Sequence, residues 1–181
     1  MEKVLFSEEQ RFTQWWLWAI LIFTLLAVFA PFANGIYLQE VLNAPPGDNP
    51  MTTEGLIVTG IASLLIVGII FLLFVYAKLE IKITDKCIMV AFPPFVRKWK
   101  KFTPAEIANY KVRTYNPLRD YGGYGVKHGL RRGQAYTVSG RTGLQLYLKN
   151  GKRVLIGTQK KQAIEYAMGK LTGKENSVKN G

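Results

Sequence analysis

Residues 12–39, FTQWWLWAILIFTLLAVFAPFANGIYLQ, and residues 55–77, GLIVTGIASLLIVGIIFLLFVYA, contain no Asp, Glu, Lys or Arg. A soluble helix of that length normally keeps one polar stripe, whereas Ile61, Leu64, Leu65, Ile66, Ile69, Ile70, Leu72 and Leu73 cover every face of the cylinder. The inner part of the first stretch, Trp15 to Gly35, spans roughly 30 Å at about 1.5 Å per residue, the thickness of a bilayer's hydrocarbon core. Two transmembrane helices are therefore predicted, forming a hairpin over residues 15–77. The competing reading of the first stretch, a cleaved signal peptide, calls for a basic leading region. Here Glu2, Glu8 and Glu9 stand against Lys3 and Arg11, and Pro31 interrupts the small residues around Ala30 and Ala33.

The connection over residues 36–54 holds Glu40, Asp48 and Glu54 and no Lys or Arg, while Lys78, Lys82 and Lys86 crowd the exit of the second helix. The positive-inside rule then places both termini in the cytosol, with residues 1–14 a cytosolic segment and 36–54 a short outer loop rich in turn formers. Trp15, Trp16 and Trp18 at one end and Tyr37 at the other suit the headgroup level. Gly60 and Gly68 are expected to let the helices approach closely, and Pro31 to bend the first. Neither stretch holds an ionisable residue, which argues against a proton or ion pathway through this chain alone.

From Lys78 onward there are 22 Lys or Arg against 6 Asp or Glu, a formal charge of +16, and the preceding residues carry −4. The single cysteine, Cys87, excludes an intramolecular disulfide and a Cys-based zinc site, and the single histidine, His128, excludes a His cluster. No cofactor is expected.

Leu79, Ile81 and Ile83 alternate with Lys78, Glu80, Lys82 and Thr84, the period-two pattern of a half-buried strand. A return strand runs from Cys87 to Phe92 as far as Pro93-Pro94, and a third covers Val96 to Phe102. Thr103, Pro104 and Glu106 resemble a capping box that makes a single turn. Strands follow at 109–115, 124–128 and 134–138, then a hairpin through Asn150-Gly151, a strong two-residue turn signal. A helix over 159–171, capped by Thr158, should bury Ala163, Ile164, Ala167, Met168 and Leu171; residues 173–181 read as a flexible tail. The fold expected is a transmembrane hairpin followed, over 78–172, by an α+β unit. That unit is an antiparallel β-barrel or sandwich of about seven strands, capped by one C-terminal helix.

The runs Tyr121 to Lys127, Ala135 to Gly140, Gly143 to Leu146 and Gly151 to Thr158 resemble membrane-anchored bacterial pleckstrin-homology-like (PH-like) proteins. The resemblance covers roughly residues 79–171 with the preceding helix pair. It implies a PH-like fold in a bacterial inner-membrane protein and a non-enzymatic, binding role, and it carries no catalytic residues over.

The seven glycines between Gly122 and Gly143 do not make a nucleotide loop, because their spacing misses the dinucleotide fingerprint and no Gly-Lys-Ser or Gly-Lys-Thr occurs. Two basic clusters remain as candidate sites: Arg97, Lys98, Lys100 and Lys101, and Lys127, Arg131 and Arg132 with Arg119 nearby in sequence. They read either as a solvated, charge-protected edge or as a surface for anionic lipid headgroups or a partner. Nucleic acid is disfavoured, because the aromatics are dispersed and no recognition motif is present. The function expected is a non-enzymatic adaptor or assembly module for another membrane protein, with an anionic-lipid surface sensor as the alternative and an enzyme whose catalytic groups the sequence does not reveal as a third, less favoured one.

Overall fold

The computed structural model describes residues 2–129 and 133–173. The expected tail beyond Gly173 and the candidate site residues Arg131 and Arg132 lie outside the described residues. The chain divides into two compact units: Thr13–Tyr76, and Met1–Phe12 together with Ala77–Gly181.

The chain opens with a strand, β1 (Val4–Arg11), and then forms two helices, α1 (Trp15–Glu40) and α2 (Thr53–Tyr76). Both helices are long and apolar enough to cross a membrane, and Phe23, Leu26, Phe29, Ile61, Leu65 and Ile66 are exposed along them. Their few hydroxyls bond back to the main chain: Thr24 Oγ1 donates to Ile20 O at 2.8 Å and Thr59 Oγ1 to Gly55 O at 2.6 Å. Those two hydroxyls therefore need no partner from their surroundings. The helices run antiparallel, with Trp18 edge-on to Phe71 at a 5.5 Å centroid distance. Toward the other end, a Cβ on Gly60 would lie 3.1 Å from Phe32 and one on Gly35 3.2 Å from Leu56. Gly60 thus serves the close approach expected of it, whereas Gly68 has nothing within 4 Å and Gly35 takes the second position. The helices also run further than expected, which shortens the connection from 36–54 to 41–52. Thr53 Oγ1, near Gln39 Oε1 at 2.8 Å and Glu40 Oε1 at 2.6 Å, ties the ends together, with Gln39 Nε2 donating to Met51 O at 2.7 Å.

In the second unit, β2 (Lys78–Thr84), β3 (Ile88–Phe92) and β4 (Val96–Phe102) continue an antiparallel sheet of order β1-β2-β3-β4. The first strand corrects the expectation that residues 1–14 form a separate segment. Glu8 pairs with Ile81 and Arg11 with Lys78, so α1 and α2 are inserted in the connection between two neighbouring strands. The inward face of β1 is Phe6, Glu8, Gln10 and the following Phe12, all buried. Two of those four are polar, so no apolar alternation announces the strand.

The buried Glu8 is held by a dedicated set of donors. Thr158 Oγ1 donates to it at 2.6 Å, the Gln159 amide at 2.9 Å and Gln10 Nε2 at 3.0 Å, while Gln10 Nε2 also reaches Gly157 O at 3.0 Å. Donors aimed at a carboxylate are what makes its burial tolerable. At the solvent edge, Lys78 Nζ lies 2.9 Å from Glu9 and 2.5 Å from Glu80, and Arg11 Nε lies 2.9 Å from Glu9. The bonds from Lys78 and then Arg11 hold the Glu9 carboxyl below its ordinary range, so this pairing persists until the pH falls through that lowered value.

The remaining elements are β5 (Ile107–Thr114), α3 (Pro117–Tyr121), β6 (Gly125–Gly129), β7 (Gly133–Thr137), β8 (Thr142–Leu148), β9 (Arg153–Gly157) and α4 (Lys161–Thr172). They form a second sheet of order β5-β8-β9-β7-β6, in which β7 and β9 are parallel. About seven antiparallel strands were expected. The described residues hold nine, in two sheets, with one parallel pair. The β8–β9 hairpin is as expected, but that β7 joins its far edge is a long-range pairing that no local turn signal encodes.

By register, Leu79, Ile81, Ile83, Ile88 and Val90 share the inward face of the first sheet, and Tyr136, Leu144, Leu146 and Ile156 share one face of the second; all are fully buried. The opposite face of the second sheet carries a smaller cluster of Tyr115, Tyr121, Ala135 and Leu155. Helix α3 delivers Tyr121 to it, capped by Asn116 Oδ1 at its start and by Gly122 in a left-handed conformation (φ 72°) at its end. Helix α4 packs on β1, β2 and β8 and buries Ile164, Ala167, Met168 and Leu171 as expected, whereas Ala163 is exposed. It begins at Lys161 rather than at Gln159, because Thr158 and Gln159 are engaged by Glu8.

Glu8→Ala, which strands the Thr158 hydroxyl and the Gln159 amide, should destabilise the protein by about 2–4 kcal/mol. Glu8→Gln, which can still accept hydrogen bonds, should cost less, and chemical denaturation of the full chain followed by near-UV circular dichroism checks both.

Candidate functional site

A cleft of about 700 Å³ opens between β4, the β6–β7 pair and the β8–β9 turn. Lys100 pairs with Val90 and Phe102 with Ile88, so both belong to the core-facing side of the first sheet. Where that side meets Gln134 and Val154 of the second sheet, apolar packing gives way to charge. Lys100 Nζ donates to Gln134 Oε1 at 3.2 Å and stands 5.6 Å from the centre of the Tyr136 ring. Lys101 lines the cleft beside it.

The opposite wall comes from the Asn150-Gly151 turn. Asn150 Oδ1 accepts from the Lys152 amide at 3.0 Å, and Gly151 adopts φ 80°, so the turn closes tightly and places Lys152 and Arg153 at the cleft. The Arg153 guanidinium stacks over Tyr147 at 5.7 Å. Gly133 permits the parallel approach of β7 to β9: its φ is +78°, and a Cβ there would lie 2.1 Å from Arg153 O.

Four cations, Lys100, Lys101, Lys152 and Arg153, therefore line the cleft with one carboxylate, Glu106, and the imidazole of His128. Glu106 already accepts from the Thr103 amide and hydroxyl, both at 2.8 Å, in the capping box that the sequence announces. Those two bonds hold its carboxyl below the ordinary range, so it is ionised and occupied at neutral pH. The cleft keeps a net positive character suited to an acidic ligand.

The structure divides the candidate residues. Lys100 and Lys101 line the cleft; Arg97 and Lys98, exposed on the same strand, do not. Lys127 is half-buried beside the lining residue His128, and Arg119 lies on α3 with its amide bonded to Asn116 Oδ1. Lys152 and Arg153, which complete the cleft, read from sequence only as the return arm of a hairpin. Their nearness to β4 depends on the pairing of β7 with β9.

The cleft also has a definite place along the first sheet. The Lys78 amide donates to Pro93 O at 3.1 Å, which marks the end of the sheet next to the chain's two connections to the helical unit. Lys100 and Lys101 lie four and five residues along β4 from Val96, roughly 13–17 Å at about 3.3 Å per residue. Among the described residues no three His, Cys, Asp or Glu side chains gather where a metal could be held. No family model, curated protein or solved structure matches the chain.

Gly133→Ala sets a Cβ against the Arg153 carbonyl at a positive φ and should cost more than about 2 kcal/mol, pushing β7 from β9 and opening the cleft. Amide hydrogen exchange should show protection lost in β7 and β9 before β2 and β3.

Proposed function

We propose that this chain is a non-enzymatic adaptor of the bacterial inner membrane. In this reading α1 and α2 span the bilayer, both termini are cytosolic, and the β unit is a PH-like domain that docks an acidic segment of another membrane protein in the basic cleft. The convergence of Lys100, Lys101, Lys152 and Arg153 on one cavity carries the proposal. Sheet edges and grooves of this kind take extended peptide segments, and cationic walls select acidic ones.

Two observations support the membrane arrangement. Arg11 lies opposite Lys78, so both connections to the helices leave one end of one strand pair, as an even number of spans requires. Lys3 and Arg11 precede α1 and Lys78, Lys82 and Lys86 follow α2, whereas residues 41–52 between the helices contain no Lys or Arg. The two sheets closed by a C-terminal helix agree with a PH-like architecture, from which the parallel β7–β9 pair departs.

Binding of a fluorescein-labelled Glu-rich peptide to the full chain in nanodiscs, followed by anisotropy, tests the cleft. Lys100→Glu with Arg153→Glu should weaken it about tenfold, whereas Arg97→Glu with Lys98→Glu should change it far less; equal losses from the two pairs would refute the assignment. Sidedness is checked in a Cys87→Ala background in intact cells. Asp48→Cys should react with a membrane-impermeant maleimide, while Lys3→Cys and Lys152→Cys should react only after the cells are opened.

A further inference from the structure

The turn between β3 and β4, Pro93-Pro94-Phe95, is a second feature that the adaptor reading does not use. Phe95 is 60% exposed although it is a large apolar side chain at the tip of a turn. Its ring lies 6.2 Å from that of the fully buried Phe92, which in turn meets the buried Phe12 edge-on at 6.4 Å. A column of three aromatic rings thus runs from the core to the surface at one end of the first sheet.

That end is where the unit joins the helices. Pro93 O accepts from the Lys78 amide at 3.1 Å, and only Ala77 separates Lys78 from the last residue of α2. Two residues of chain reach at most about 7 Å, and the headgroup region on each side of a bilayer is about 5–7 Å deep. A turn bonded to Lys78 is held by covalent geometry within reach of the interface in which α2 would end.

The composition of the turn fits that place. Proline has no N–H, so two consecutive prolines bring no main-chain donors that need water, and the Pro93 carbonyl is already bonded. Aromatic rings favour the headgroup level. Arg97 and Lys98 follow within three residues of Phe95, both exposed, at a distance where the potential of an anionic leaflet still acts.

We infer that Pro93-Pro94-Phe95 is a membrane-seating wedge: Phe95 inserts among the lipid headgroups, and Arg97 and Lys98 hold it there against anionic lipid. The inference rests on the reading of α1 and α2 as membrane spans. It gives a role to the two cations of the first cluster that the cleft leaves out.

Nitroxide labels on the full-length protein, in a Cys87→Ala background and reconstituted into phosphatidylcholine–phosphatidylglycerol vesicles, test it through collisions with oxygen and with a water-soluble nickel chelate. A label at Phe95→Cys should be shielded from nickel and exposed to oxygen, whereas one at Lys101→Cys, on the same strand, should be open to nickel. Arg97→Glu with Lys98→Glu should return nickel access to position 95, and unchanged shielding would overturn the role given to the two cations. A label at Ile66→Cys, in the middle of α2, separates the two levels of the argument. Hydrocarbon-like behaviour at 66 with nickel access at 95 equal to that at 101 would overturn the wedge alone; nickel access at 66 would overturn the membrane reading and the wedge with it.

Discussion

The pairing of β1 with β2 is the constraint on which the rest of this structure depends. Some sixty residues, including two long apolar helices, are inserted between Arg11 and Lys78, which are nonetheless direct partners in one sheet. Closing so long a loop carries an entropic penalty that β1 alone has little apolar surface to offset. The offset comes from Glu8 and Gln10, which bond to the segment Gly157–Gln159 just before α4. One buried carboxylate thereby joins the first sheet, the second sheet and the terminal helix. Packing of α4 on β1 and β2 then completes the core.

A further consequence is that charge is sorted along β4. A cluster that looks continuous in sequence, Arg97 to Lys101, is divided by the direction of the strand: its first cations stand near the attachment end, and its last two line the cleft with Lys152 and Arg153. An antiparallel strand starting at the Pro93-Pro94 turn has to run away from that turn, so two basic pairs a few residues apart meet different surroundings.

Much of this was legible in the sequence, and the failures share a cause. The helices, β2 to β4, the capping box at Thr103 and the β8–β9 hairpin follow from periodicity and turn chemistry, both of which are local. β1 escaped because its buried face alternates Phe with Glu and Gln, and a buried polar group is recognisable only when its partners, 150 residues away at Thr158, are known. The short α3 carries the right signals, Asn116 before Pro117 and Gly122 after the last turn, but five residues are too few for a periodic pattern to show. The site suffered likewise: Lys152 and Arg153 come to the cleft through the parallel β7–β9 pair, and Gly133 reveals its purpose only beside the Arg153 carbonyl.

The central claim, that the N-terminal strand closes onto β2 across the inserted helices, is tested most directly by cross-linking. Ser7 and Lys82 are register partners exposed on the outer face, and Cβ atoms of directly opposed antiparallel residues lie about 4.5–5.5 Å apart, within reach of a disulfide after small adjustment. In the full-length Cys87→Ala protein kept in its membrane, Ser7→Cys with Lys82→Cys should form an intramolecular disulfide under mild oxidation, and Ser7→Cys with Lys101→Cys should not. Equal cross-linking of both pairs, or of neither, would mean that the N-terminal segment is free of the sheet and would contradict the account.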